Sequence, residues 1–163
     1  MESIRHKLML QESSKRFHSS ELLKASGDDS DSAYLLQLIG FELLLKVAVE
    51  RSTNSIAHGH YYQELFNDLS QEKQKEILRV AGERIGPSAL SSNHMGVLTD
   101  LGSNFVKLRY PHEKYGHLTQ EQYTEVGASW IASGAKVIDA DFRYHSEELF
   151  GLTFALQQFA NAC

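Results

Sequence analysis

The stretch Ala33-Tyr34-Leu35-Leu36-Gln37-Leu38-Ile39-Gly40-Phe41-Glu42-Leu43-Leu44-Leu45-Lys46-Val47-Ala48-Val49 decides the fold. It carries apolar side chains on nearly every face of a helix, and its only charges are Glu42 and Lys46. A helix apolar all round sits at the centre of its bundle. The run is also the only membrane candidate. Gln37, Glu42 and Lys46 interrupt it, and it falls short of the roughly 20 apolar residues that a span needs, so it reads as a buried core helix with no membrane partner.

Outward from this run the chain alternates good helix formers with short punctuation. Gly27-Asp28-Asp29-Ser30 closes a first helix, and Ser52-Thr53-Asn54-Ser55 closes the central one. Ser70 can cap a helix reaching about Arg84, and Gly86-Pro87-Ser88 is a break. Thr119-Gln120-Glu121-Gln122 is a capping box. The expected helices are 3–26, 31–52, 60–67, 70–85, 91–110, 119–138 and 141–160. Two further apolar stripes, Ile77/Val80/Ala81/Ile85 and Leu98/Leu101/Phe105/Leu108, have helical spacing and would pack on the central helix. Residues 1–163 show no repeat, no low-complexity tract and no change of composition. The expectation is one all-α domain, a helical bundle around residues 31–52.

Composition narrows the function. A single cysteine, Cys163, excludes a disulfide within the chain and argues against a thiolate metal site. With no apolar run after the charged residues Met1 to Lys7, no secretory signal is visible, and a cytoplasmic location is expected. The net charge of −5 argues against a broad nucleic-acid footprint, but leaves room for a small basic pocket holding one phosphate or strand. There is no Gly-rich phosphate loop, nucleophile elbow or His-Glu-x-x-His, and no cofactor is expected.

Three segments carry residue types that do chemistry. Glu42 and Lys46 are spaced i, i+4 and can pair on one helix face. They are either a partly buried ion pair or the wall of a polar pocket, since charges in so apolar a helix are costly. His58-Gly59-His60-Tyr61-Tyr62-Gln63-Glu64-Leu65-Phe66 offers two imidazoles. These could share a zinc if extended, but no third ligand stands at a familiar spacing, and His60 reads equally as a capping or core-edge residue. Asn104-Phe105-Val106-Lys107-Leu108-Arg109-Tyr110-Pro111-His112-Glu113-Lys114-Tyr115-Gly116-His117 is the densest collection. Pro111 ends the helix at Tyr110. The cations here either answer the helix dipole or, through Arg109, hold a phosphate with Tyr110 and Tyr115 as stacking faces. Asp139-Ala140-Asp141 reads as the cap of the last helix.

Taken in order, several of these pieces resemble the HEPN superfamily of small helical-bundle proteins. The helix Ser19-Ser20-Glu21-Leu22-Leu23 followed by Gly27-Asp28 and Asp31 begins the likeness. Tyr34 to Lys46 is similar to the family's central helix with its Glu…Lys pair. His60-Tyr61-Tyr62-Gln63-Glu64-Leu65-Phe66 is similar to its His-x-Leu-x-x-Leu-Leu segment, with Tyr62 where leucine is usual. Phe105 to Glu113 resembles the Arg-Tyr-x-x-Glu ending of a later helix. The likeness covers roughly residues 15–115. It implies an antiparallel bundle, frequent homodimerisation, and binding of nucleotide or RNA. Many members are metal-independent ribonucleases, often toxins paired with an antitoxin-like protein partner.

Those enzymes carry Arg, four to six residues, then His. Here two residues separate Arg109 from His112 and seven separate it from His117. Arg51 and His58 have a fitting gap on another segment, but about one such pair is expected by chance with 7 Arg and 8 His in the chain. The expected site is therefore a binding pocket of Glu42, Lys46, His60, Arg109, Tyr110 and Glu113. Arg109 would hold phosphate, Glu42 would orient Arg109 or Lys46, and the tyrosines would stack a base. The alternatives are a ribonuclease using a variant set of Arg109, His112 and His117, or a homodimeric interaction module without catalysis.

Overall fold

The computed structural model describes residues 3–110, 112, 115–135, 140 and 142–161. Seven helices account for the architecture, and no strand occurs among these residues. They are α1 (Ile4–Ala25), α2 (Ser32–Thr53), α3 (Tyr62–Asn67), α4 (Gln71–Ile85), α5 (Leu90–Arg109), α6 (Gln120–Ala132) and α7 (Ser146–Asn161). The protein is an all-α helical bundle.

α2 is its axis. Leu38, Phe41, Leu45 and Val47 are at most 1% exposed, and α1, α3, α5 and α7 all pack on this one helix. At 22 residues α2 is longer than its apolar run and is apolar enough to cross a membrane, but most of it is buried against the other helices. α1 is polar overall and reaches α2 through a narrow stripe, Met9, Ser13, Phe17 and Ser20. The two serines are buried, and their hydroxyls donate to the carbonyls of Gly40 and Ala33, each at 2.8 Å. Gly40 makes room for the Phe17 ring, whose Cζ would lie 2.8 Å from a Cβ placed there. α4 pairs with α7, and α3 with α5.

Most local signals act as expected. Thr119 and Gln122 form the reciprocal capping box, and Ser70 accepts from the Lys73 amide. Asn54 ends α2 in the left-handed region at φ +54°, and α5 stops at Arg109, ahead of Pro111. Two expectations fail. α6 ends at Ala132 and does not continue to 138, because Gly134 (φ +98°) and Ala135 (φ +52°) turn the chain out of the helix. The last helix begins at Ser146, not 141. His145, at φ +47°, cannot continue a right-handed helix backwards. Residues 142–145 are instead tied to α2 and α5 by side chains. Asp139 and Asp141, expected as caps, lie outside the described residues. α5 also carries an unforeseen kink, with Asn93 at φ −152°, ψ 55°.

Candidate functional site

The site begins with a carboxylate inside the bundle. α2 is apolar on both sides of Glu42, so the helix carries this residue into the core, where it is 7% exposed. An unpaired carboxylate there would be costly, and its oxygens are well used. Oε1 accepts from Lys46 Nζ at 2.8 Å. His60 Nδ1 lies 3.0 Å from Oε1 and 2.9 Å from Oε2. Since a carboxylate only accepts, Nδ1 carries the proton. Nε2 makes no hydrogen bond among the described residues, and the His60 side chain is 43% exposed.

His60 reaches this position through its backbone. Gly59 takes φ +84°, a value that suits glycine. Tyr61 is extended (φ −88°, ψ 94°) and leads into α3, and the backbone of His60 and Tyr62 lies close against α5 at Gly102. A Cβ on Gly102 would stand 2.9 Å from the His60 carbonyl oxygen. Below, Tyr62 is fully buried and its hydroxyl donates to the Leu38 carbonyl at 3.2 Å. Burial, with the nearby Glu42 charge adding to it, pushes this phenol well above the usual tyrosine range.

Aromatic and cationic groups continue from His60 to the surface. The His60 ring lies 5.1 Å from that of Phe105, tilted by 35°. The Arg109 guanidinium sits 5.1 Å above the same Phe105 ring and 4.7 Å from Tyr110. Such contacts suit a cation that keeps its polar edge in water. Arg109 and Tyr110 are exposed, and Arg109 has no carboxylate partner among the described residues. The order of contact is thus a buried carboxylate, a half-exposed imidazole, a buried aromatic ring and an exposed guanidinium.

Of the expected site residues, Glu42, Lys46 and His60 touch directly, and Arg109 and Tyr110 join them through Phe105. Of the two partners expected for Glu42, Arg109 or Lys46, it holds Lys46, together with His60, while Arg109 lies against aromatic faces. Glu113 lies outside the described residues. His112 lies edge-on to Tyr110, with ring centres 6.2 Å apart, and is exposed. His117 is exposed in the turn before α6. Neither has, among the described residues, the carboxylate partner that His60 has. No group of three or more His, Cys, Asp or Glu side chains suited to a metal converges among the described residues.

Three other polar groups are not evident from the sequence. Glu50, one and two turns beyond Lys46 and Glu42 on the same stripe of α2, is 5% exposed. It accepts from Arg5 Nη2 at 2.9 Å and Nε at 3.0 Å, and from the Ala57 amide at 3.1 Å, with His6 Nε2 at 3.1 Å. Burial would raise its pKa, but Arg5, the Ala57 amide and His6 together outweigh burial and hold it below the usual carboxylate value. The i, i+4, i+8 spacing of Glu42, Lys46 and Glu50 was the available signal. Second, His145 Nε2 bonds Asp100 at 2.8 Å. Third, Asn104 donates to the Tyr34 hydroxyl (3.1 Å) and the Arg143 carbonyl (2.6 Å), while Tyr34 donates to the Tyr144 carbonyl (2.7 Å) and Tyr144 to Asp31 (2.9 Å). Burial raises the Tyr34 phenol, and burial with the Asp31 bond brings Tyr144 to about 12. This last network locks residues 142–145 onto the bundle.

No protein-family model matches the chain, and neither a curated protein nor a solved structure matches it. The fold defines a class, the all-α helical bundle.

Proposed function

We propose that this bundle binds RNA or a nucleotide at the surface formed by His60, Phe105, Arg109 and Tyr110. The observation that carries the reading is the Arg109 guanidinium held against Phe105 and Tyr110 with no carboxylate partner among the described residues. A planar cation fixed beside the exposed Tyr110 ring can meet a phosphate bidentately while a base stacks next to it. The small size of the basic patch suits one or a few nucleotides, consistent with the net charge of −5. Resemblance to nucleotide- and RNA-binding helical bundles supports the same reading. The test is titration of the protein with ATP and with short single-stranded RNAs, followed by fluorescence anisotropy or calorimetry. Saturable binding that Arg109→Ala weakens about tenfold is expected, the loss of roughly one charge-assisted contact. No binding by the wild type, or equal binding by the variant, would overturn it.

A second reading, a metal-independent ribonuclease, is favoured by one specific feature. Glu42 fixes the His60 tautomer and leaves Nε2 free on the exposed side. Such a nitrogen can take the proton of a ribose 2′-hydroxyl as that oxygen attacks the adjacent phosphorus, and the P–O5′ bond breaks to leave a 2′,3′-cyclic phosphate and a 5′-oxygen protonated from solvent water. Arg109 would face the charge on the phosphate. His60 therefore replaces His112 and His117 as the general-base candidate. RNA cleavage lost in His60→Ala but kept in His112→Ala and His117→Ala would support the reading; equal cleavage by all would reject it.

A further inference from the structure

A cavity of about 540 Å³ opens elsewhere in the bundle, between α1, the turn at residues 27–31 and α7. Its floor is apolar: Phe17, Ala33, Leu149 and the ring of Tyr34. The floor is also rigid. Phe17 is seated against Gly40, and Tyr34 is fixed by bonds to Asn104 and Tyr144. The rim has the opposite character. Glu21, Asp28, Asp29 and Asp31 line it against a single cation, Lys24. Lys24 is 3.1 Å from Glu21, Asp28 accepts from the Ser30 amide, and Asp31 accepts from the Tyr144 hydroxyl. Asp29 is exposed and has no ion-pair partner among the described residues.

We infer that this cavity binds a free alkylammonium compound, a positively charged amine on an apolar stem. An apolar stem would displace water from the Phe17–Leu149 floor. The ammonium would sit at the carboxylate rim and against the faces of Tyr34 and Tyr144, an arrangement that favours cations twice over. An anion would meet the rim charge, and a neutral stem would gain only the floor. One ring of the lining, Phe150, already carries a cation, the Arg84 guanidinium 5.1 Å from its centre. The cavity volume falls within the range of small-molecule sites, roughly 300–1,000 Å³, and suits a free amine. This inference is independent of the RNA-binding surface, which shares no residue with the cavity.

The test compares n-hexylammonium, spermidine, 1-hexanol and hexanoate by two-dimensional amide NMR on the intact chain. The two amines should saturate, shifting Phe17, Tyr34 and Gln37 and leaving His60 and Arg109 in place. Hexanol should bind more weakly and hexanoate not at all. The exposed double substitution Glu21→Gln/Asp29→Asn should lower amine affinity about tenfold. Thr153→Trp, which fills the cavity from α7, should abolish binding. The inference is overturned if no amine saturates, if hexanol equals hexylammonium, or if the double substitution leaves the affinity unchanged. Tighter binding of a lysine-containing peptide than of the free amines would overturn it too.

Discussion

Oε2 of Glu42 lies 2.9 Å from Nδ1 of His60, and this bond joins the most apolar helix to the exposed aromatic–cation surface. The same carboxylate holds Lys46, whose side chain is only 14% exposed. Removing the charge leaves a mostly buried ammonium without its partner. Glu42→Gln should therefore destabilise the protein by about 2 kcal/mol in urea unfolding. Adding Lys46→Met should restore part of the loss, because both members of the pair are then gone. Unchanged stability in the single variant would show that the pair is energetically idle.

Gly102 controls the position of His60 from the opposite side. Its missing Cβ would stand 2.9 Å from the His60 carbonyl and 3.3 Å from the Tyr62 amide nitrogen. Both are backbone atoms and cannot swing aside. Gly102→Ala should cost roughly 1–3 kcal/mol as an overpacked site and weaken RNA binding by displacing His60 from Glu42. A methyl group on Gly127, in α6, would have nothing within 4 Å of it. Gly127→Ala should instead stabilise by up to about 1 kcal/mol through helix propensity. Thermal unfolding of the two variants in parallel tests the contrast, and equal effects would refute it.

What was legible in the sequence follows from what is local. The apolar circumference of α2, the Thr119 box, the Ser70 cap and the stop before Pro111 depend on neighbours within a turn, and all four operate. The start of the last helix was not legible. It depends on Tyr144 meeting Asp31, on His145 meeting Asp100 and on the Arg143 carbonyl meeting Asn104, partners 39 to 113 residues away. The site divides the same way. Glu42 with Lys46 and Phe105 with Arg109 pair at i, i+4 as their spacing implies, whereas the contact of Phe105 with His60 requires knowing that α3 lies against α5. Phe105 reads as a core residue from its spacing with Leu98, Leu101 and Leu108, and it is one, only 7% exposed.

Glu50 supplies an acid-sensitive tie between α1, α2 and the segment at Ala57. Its folded pKa lies below the usual 4.5, so its contribution is fully present above about pH 4.5. That contribution is lost as pH falls through the folded pKa, where protonation breaks the bonds to Arg5. Glu50→Gln should lower stability at pH 7 by about 2 kcal/mol and flatten the decline below pH 4.5. Urea unfolding between pH 3 and 7 measures both. A variant with the same acid slope as the wild type would place the acid sensitivity on other carboxylates.

Tyr62 sets the corresponding alkaline limit. Its phenol is wholly buried, donates to the Leu38 carbonyl and faces the Glu42 charge, so its pKa stands well above the usual 10.0. A group whose folded pKa is raised stabilises fully below its unfolded pKa and loses that effect as pH rises toward the folded value. Above about pH 10 the unfolded chain releases the Tyr62 proton while the folded chain keeps it. One such group contributes about 1.4 kcal/mol per pH unit to the fall in stability. Tyr62→Phe should cost about 1 kcal/mol at pH 7 for the lost hydrogen bond, yet reduce the alkaline slope by that amount. Tyr34, raised in the same direction by burial, remains in the variant, so some slope should persist. Urea unfolding from pH 8 to 11.5 gives the slopes. If the variant and the wild type lose stability in parallel above pH 10, Tyr62 ionises as freely folded as unfolded, and the buried contact with Leu38 and Glu42 is not what holds its proton.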